Sequence, residues 1–308
     1  MPTLITSARF NTLQDRIAAI IGTSTGGAPT TGYGETLESS ADDPVITGVD
    51  KITAQQWNNL YIDFSRARAH QVGAGFSIDP LVIGDFLANG GSTDKPLEAF
   101  IINLEALMTD IETDKFLINI PTQASIEPLV SSNTSSGWNS VLTHIATITF
   151  SSELSRRHYF NAGGEIRFDA NIVYAGSDPK TLEWKSMLST MGVISFDHDA
   201  TFSNNGIGSG SAIGNYDLTG VLQTVYQRNA SSYSGNNYNI AIRNLSTTEI
   251  QASISFNDGA TGIVDELVQG TLTSNISLAR PDGSVTINGT PYDTVVVAAP
   301  GGANTSTL

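Results

Sequence analysis

The chain has 308 residues, 40% of them hydrophobic, with no cysteine and a formal net charge of −15. The missing cysteine excludes disulfides, thiolate zinc sites and a cysteine nucleophile, and the negative charge opposes a phosphate backbone, so no nucleic-acid partner is expected. No window approaches the roughly 18 unbroken apolar residues of a membrane span, and no basic segment leading into an apolar one marks a secretory signal, so no membrane insertion is expected.

The first element announces itself twice. Ile5-Thr6-Ser7-Ala8-Arg9-Phe10-Asn11-Thr12-Leu13 returns as Ile52-Thr53-Ala54-Gln55-Gln56-Trp57-Asn58-Asn59-Leu60. Thr6 and Thr53 are of the type that caps a helix, their hydroxyls accepting from first-turn N–H groups. Counting from those caps, Ile5 with Phe10 and Ile52 with Trp57 occupy the two positions of a hydrophobic staple, and Gln56 completes a capping box. Helical spacing follows in both copies, through Phe10, Leu13, Ile17 and Ile20, and through Trp57, Leu60 and Phe64. The spacing predicts helices over 1–22 and from Thr53 to Gln71, stopping at Gly73, with a loop-like connection from Thr23 to Asp50. A third helix is predicted around Leu97, Ile101, Leu104, Leu107, Met108 and Ile111.

Near Lys115 the texture changes to β-branched and alternating runs separated by Gly, Asn, Asp and Ser. Strands are predicted at His144–Phe150, Gly164–Ile172, Val193–Asp197, Leu218–Tyr226, Asn239–Asn244, Ile250–Phe256 and Gly270–Leu278, with a short helix from Lys180 to Met191. Asp282-Gly283 and Asn288-Gly289 read as tight turns. The organisation expected is α+β: a helical docking region over 1–113, a linker or transition over 114–140, a mainly antiparallel β-sandwich or barrel-like domain over 141–299, and a flexible tail over 300–308. Ile250–Phe256, if it lay at a sheet edge, would be a site for pairing with another subunit.

Chemistry finds little support. Asp197-His198-Asp199 is the best metal-like cluster, but in an extended strand at most two of its side chains share a face, and turn capping is the simpler reading. Gly206-Ile207-Gly208-Ser209-Gly210-Ser211 lacks both the G-x-S-x-G elbow and a phosphate-loop lysine and reads as a flexible loop. Asp258-Gly259 reads as an ordinary turn rather than a calcium loop. No spacing selects a carboxylate pair for glycoside hydrolysis. No enzyme activity, cofactor or metal is expected.

Two places in the chain resemble virion proteins of tailed bacteriophages, including those of contractile-tailed marine cyanophages. One is the second helix start from Ile52 to Leu60, followed by Ala69-His70-Gln71-Val72-Gly73 and preceded by Gly32-Tyr33-Gly34. The other is Arg156-Arg157-His158-Tyr159-Phe160-Asn161-Ala162-Gly163-Gly164-Glu165-Ile166-Arg167-Phe168. The resemblance implies a structural subunit of the tail, neck, baseplate or an attached fibre, present in repeated copies and contacting other virion proteins. It further implies assembly in the bacterial cytoplasm and a place in the virion, and it carries no catalytic residues. Ile5, Phe10, Ile52, Trp57, Tyr159 and Phe160 are then the expected packing anchors. Tyr159-Phe160 is expected to bury a ring pair at the end of a strand, and Asn161 with Gly163-Gly164 to form the turn that follows. Arg156 and Arg157 are candidate partner contacts. The alternative is a receptor- or carbohydrate-binding module, in which Tyr226, Tyr233 and Tyr238 stack against a host surface glycan.

Overall fold

In the computed structural model both repeated segments open helices, α1 (Ser7–Ile21) and α2 (Ala54–Val72). The structure describes residues 6–22, 32–34, 37–39, 45, 52–75, 87–88, 95–117, 125–132, 137–260, 267–280 and 296–298. Ile5, the Asp282-Gly283 and Asn288-Gly289 dipeptides and the tail from Pro300 lie outside the described residues. Contacts divide the chain into a helical unit, drawn from Met1–Ala124, Arg157–Gly163 and Pro281–Tyr292, and a β unit from Ser125–Arg156, Gly164–Arg280 and Asp293–Leu308.

In the helical unit Thr6 accepts from the Arg9 N–H. Thr53 accepts from the Gln56 N–H while the Gln56 side chain reaches back to the Thr53 N–H, closing a capping box. Gly73, left-handed at φ 78°, ends α2, a conformation that costs glycine nothing. A parallel pair, β1 (Leu87–Ala88) and β2 (Lys95–Pro96), leads into α3 (Leu97–Thr113). The apolar stripes of the three helices meet in one core, with Phe10, Leu13 and Ile17 from α1, Trp57, Leu60 and Phe64 from α2, and Ile101, Leu104 and Met108 from α3. The aromatic residues at equivalent positions of the two repeats face each other, Phe10 and Trp57 meeting edge to face at 4.9 Å. Arg9 grips Glu105, and Arg16 grips Glu112, each through two hydrogen bonds. Equal seven-residue steps on α1 and α3 therefore set these helices parallel and in register.

The rest of the chain is mostly β, as expected of an α+β protein. Its elements are β3 (Ser125–Ser132), β4 (Val141–Thr149), α4 (Glu153–Asn161), β5 (Glu165–Val173), α5 (Pro179–Met191), β6 (Ile194–Phe196) and β7 (Thr201–Ser203). After them come a 3-10 turn at Asn215–Asp217, β8 (Gln223–Asn229), β9 (Asn236–Asn244), β10 (Glu249–Asp258), β11 (Thr271–Arg280) and β12 (Val296–Ala298). They form two five-stranded antiparallel sheets, ordered β12-β4-β10-β9-β8 and β3-β11-β5-β6-β7. Strict alternation along β4, β9 and β10 buries one face of the first sheet. That face packs on the second sheet, and His144 of β4 hydrogen-bonds Ser274 of β11 across the interior at 2.9 Å.

Four expectations are corrected here. Ile250–Phe256 lies in β10, which is paired along this stretch to β4 on one side and β9 on the other, so it offers no free edge. The glycine-rich segment 206–211 is no loose loop: Ser211 exchanges backbone hydrogen bonds with Thr201 of β7, and Ser209 does so with Gln227 of β8. It is a strap joining the edge strands of the two sheets. Gly208 and Gly210 are needed for it, because a Cβ would stand 2.2 Å from the Tyr226 hydroxyl or from the Thr201 carbonyl oxygen. Tyr159 and Phe160 do form an edge-to-face pair at 5.2 Å, but on α4 rather than at the end of a strand. Ser152 starts that helix by accepting from the Ser155 N–H, and Gly163, at φ 81°, ends it and feeds β5. Lastly, β3 occupies part of the expected linker, and residues 157–163 belong to the helical unit.

Candidate functional site

Gly32-Tyr33-Gly34, the end of α2 and the 157–163 segment come together inside the helical unit. Gly32-Tyr33-Gly34 is strapped to the end of α1, with the Tyr33 N–H donating to the Ile20 carbonyl at 2.8 Å and the Gly34 N–H to the Gly22 carbonyl at 3.2 Å. The Tyr33 ring lies 4.6 Å from the imidazole of His70. The Tyr33 hydroxyl donates to the Lys115 carbonyl and accepts from Gln71, whose amide also donates to the Ile111 carbonyl. His70 Nε2 sits 3.0 Å from the Ala162 carbonyl oxygen. A carbonyl only accepts, so His70 carries its proton on Nε2.

His158 completes the junction against Gly34. A Cβ at Gly34 would stand 2.4 Å from His158 Nδ1, and the φ of Gly34 is +87°, so glycine is required there for space and for conformation. His158 is fully buried, with neither ring nitrogen hydrogen-bonded. Burial, aided by the charge of Arg157, pushes its pKa down to about 4. Burial likewise pushes the Tyr33 phenol up and pulls Lys115 down to about 8. Tyr33, His70 and His158 are each 0% exposed and Gln71 is 2% exposed, which leaves no room for a substrate to meet these groups. The arrangement holds three chain segments in one geometry; it does not present an acid, base or nucleophile.

No family model, curated relative or solved structure matches the chain.

Elsewhere the side chains singled out in the sequence are placed as follows. Ile52 is half-buried against the helical core and Trp57 is buried within it. Arg156 is 5% exposed and donates to Asn215 Oδ1 at 2.8 Å, to Asn244 Oδ1 at 2.5 Å and to the Ser246 carbonyl at 3.2 Å. Burial lowers its pKa to about 10 against the opposing charge of Glu153, and its Nε, Nη1 and Nη2 all donate inside the β unit. It is an internal clamp on the β9–β10 turn rather than a partner contact. Arg157 is half-buried with its Nε hydrogen-bonded to nothing.

Tyr226 and Tyr238 are 1% and 0% exposed and pack on each other at 6.2 Å, while Tyr238 also meets Phe256 at 5.2 Å. Tyr233 is half-buried, its N–H held by Glu183. Alternation along β9 turns Tyr238 inward and Tyr226 is buried beside a register shift in β8, so the three tyrosines form no sugar-stacking surface.

Asp197, His198 and Asp199 do converge, their ligand atoms all within 4.8 Å of one another. The limit of two held for an extended strand, and the segment is instead the β6–β7 turn. Asp197 Oδ1 accepts from the Asp199 N–H at 3.0 Å and the Ala200 N–H at 2.8 Å. That is the turn-capping role, and it engages Asp197, the less exposed of the two aspartates. The junction around His158 was not legible in the sequence; the positive-φ glycines beside Tyr33 and Ala162 were the available signal.

Proposed function

We propose that this protein is a virion structural subunit of a tailed bacteriophage, acting by assembly with copies of itself and with neighbouring virion proteins. The observation that carries this reading is the junction of Tyr33, His70, Gln71, His158 and Ala162. The residues behind the resemblance serve packing geometry, as a scaffold requires, and not chemistry. The mechanism is mechanical: apolar surface and strand edges of one copy are buried against the next, and symmetry multiplies each weak contact. Copy-to-copy contacts have candidate material on the β unit, where Val221, Leu222 and Leu245 are exposed at 68%, 47% and 42%. The Asn244 side-chain amide and N–H donate to the Leu218 and Thr219 carbonyls, which brings the 218–222 loop beside the β9–β10 turn.

Light scattering coupled to gel filtration, with negative-stain images of the same peak, tests the reading. A ring, a trimeric fibre or a filament is expected. A compact monomer that persists at high concentration overturns self-assembly.

A further inference from the structure

The β unit contains an ion pair that is almost entirely out of solvent. Lys180 Nζ lies 2.8 Å from Asp258 Oδ2, and the two side chains are 2% and 1% exposed. Both backbones are fixed. Asp178 caps α5 by accepting from the Thr181 N–H at 2.7 Å, and Pro179 fills the first turn. Thr181 Oγ1 accepts from the Gln269 N–H at 2.9 Å. On the other side the Asp258 N–H donates to the Ser140 carbonyl at 2.8 Å at the end of β10.

The surroundings are aromatic. Trp184, one turn beyond Lys180, and Phe256, two residues before Asp258 on the same buried face, meet each other and Trp138 at ring distances of 5.6 to 6.5 Å. Two charges are costly in such a place unless they are closely paired. Asn236 stands opposite Asp258 in the β9–β10 register and on the same buried face. It is 1% exposed, and its Nδ2 is hydrogen-bonded to nothing.

We propose that Lys180 and Asp258 condense to an intramolecular amide, a covalent staple in a chain that has no disulfide. A proton passes from the ammonium to the carboxylate, and the neutral Nζ adds to Asp258 Cγ. The Asn236 amide is the donor for the oxygen that gains charge in that addition, a role that preorganised donors fill well. The C–N bond forms, one C–O bond breaks, and that oxygen leaves as water with two of the three protons first held by Nζ. Ammonium and carboxylate become one amide and one water, with charge balanced and no oxidant or co-reactant. Fixed geometry replaces an encounter between separate molecules, which is the part of such a reaction that positioning accelerates.

Mass spectrometry of the full chain, purified folded and then denatured, tests this. The expected mass is lower by one water than the sequence requires. Proteolysis should then release a branched peptide joining the segments around Lys180 and Asp258, with no tryptic cut after Lys180. A succinimide at Asp258-Gly259 also loses one water, but it survives Lys180→Arg and opens in hydroxylamine. The amide resists hydroxylamine, and Lys180→Arg restores the full mass. Asn236→Leu should slow the mass loss measured from freshly refolded protein. Full mass in the folded wild-type chain after prolonged incubation, or a water loss that persists in Lys180→Arg, overturns the proposal.

Discussion

Trp57 is 4% exposed and lies against Phe10, the residue that holds the same place in the first repeat. Trp57→Ala removes a large ring from a filled core, and a loss of about 3–5 kcal/mol is expected in chemical denaturation of the helical unit. A loss under about 1 kcal/mol would show that the core closes over the gap at little cost. His158 makes a prediction of a different kind. Its folded pKa of about 4 lies below its ordinary value of 6.5, so the folded state binds its proton less readily than the unfolded chain does. Its contribution is therefore complete above about pH 6.5 and is lost as the pH falls towards about 4, by roughly 2–3 kcal/mol. His144, also pushed down by burial, contributes with the same sign in the β unit. The comparison that isolates His158 is a denaturant midpoint against pH in His158→Leu, where the acid-side slope should flatten. An unchanged slope would mean that other groups govern acid unfolding.

At the scale of elements, the strap is the most exacting piece of local geometry. Gly210→Ala places a Cβ 2.2 Å from the Thr201 carbonyl oxygen, which is backbone and cannot swing aside. The amides of Thr201, Ser211 and Gln227 should then exchange with solvent faster than in the wild type, read by hydrogen exchange, while those of β10 keep their protection. Uniform loss of protection would make the strap part of one cooperative unit with the sheets. The elements legible in the sequence were those whose periodicity was free of competing signals. The caps and stripes of α1 and α2, the α5 segment and the alternation of β10 are the clearest. α4 was not legible, because Tyr159-Phe160 followed by Asn161 and Gly163-Gly164 reads equally well as a strand end and a turn. β8 starts later than expected because local bonds hold the chain before it: Gly214 N–H to Asp217, and Thr219 N–H to the Gln223 side chain. Such side-chain bonds compete with the sheet ladder. The His158 junction depends on three segments far apart in the chain, and periodicity carries no information about such a meeting.

For the whole molecule, a net charge of −15 makes each copy repel the next, and salt weakens that repulsion over about 10 Å at 0.1 M and about 3 Å at 1 M. If copies join through apolar burial and strand edges, the oligomeric fraction measured by light scattering should rise with ionic strength. A fall would point to ion pairs as the joining contacts and count against burial-driven assembly. The strand order has a consequence in time. β3 pairs with β11, Ser125 opposite Arg280, and β4 pairs with β10, Val141 opposite Asn257. On the ribosome, β3 and β4 are made long before the partners that complete their sheets, and pairings between such distant segments close slowly. For that interval their unsatisfied edges are open to strands of other nascent chains. The cell that makes this protein must therefore shelter half-built sheets until the last quarter of the chain emerges, and the yield of folded protein will depend on how fast that stretch is translated.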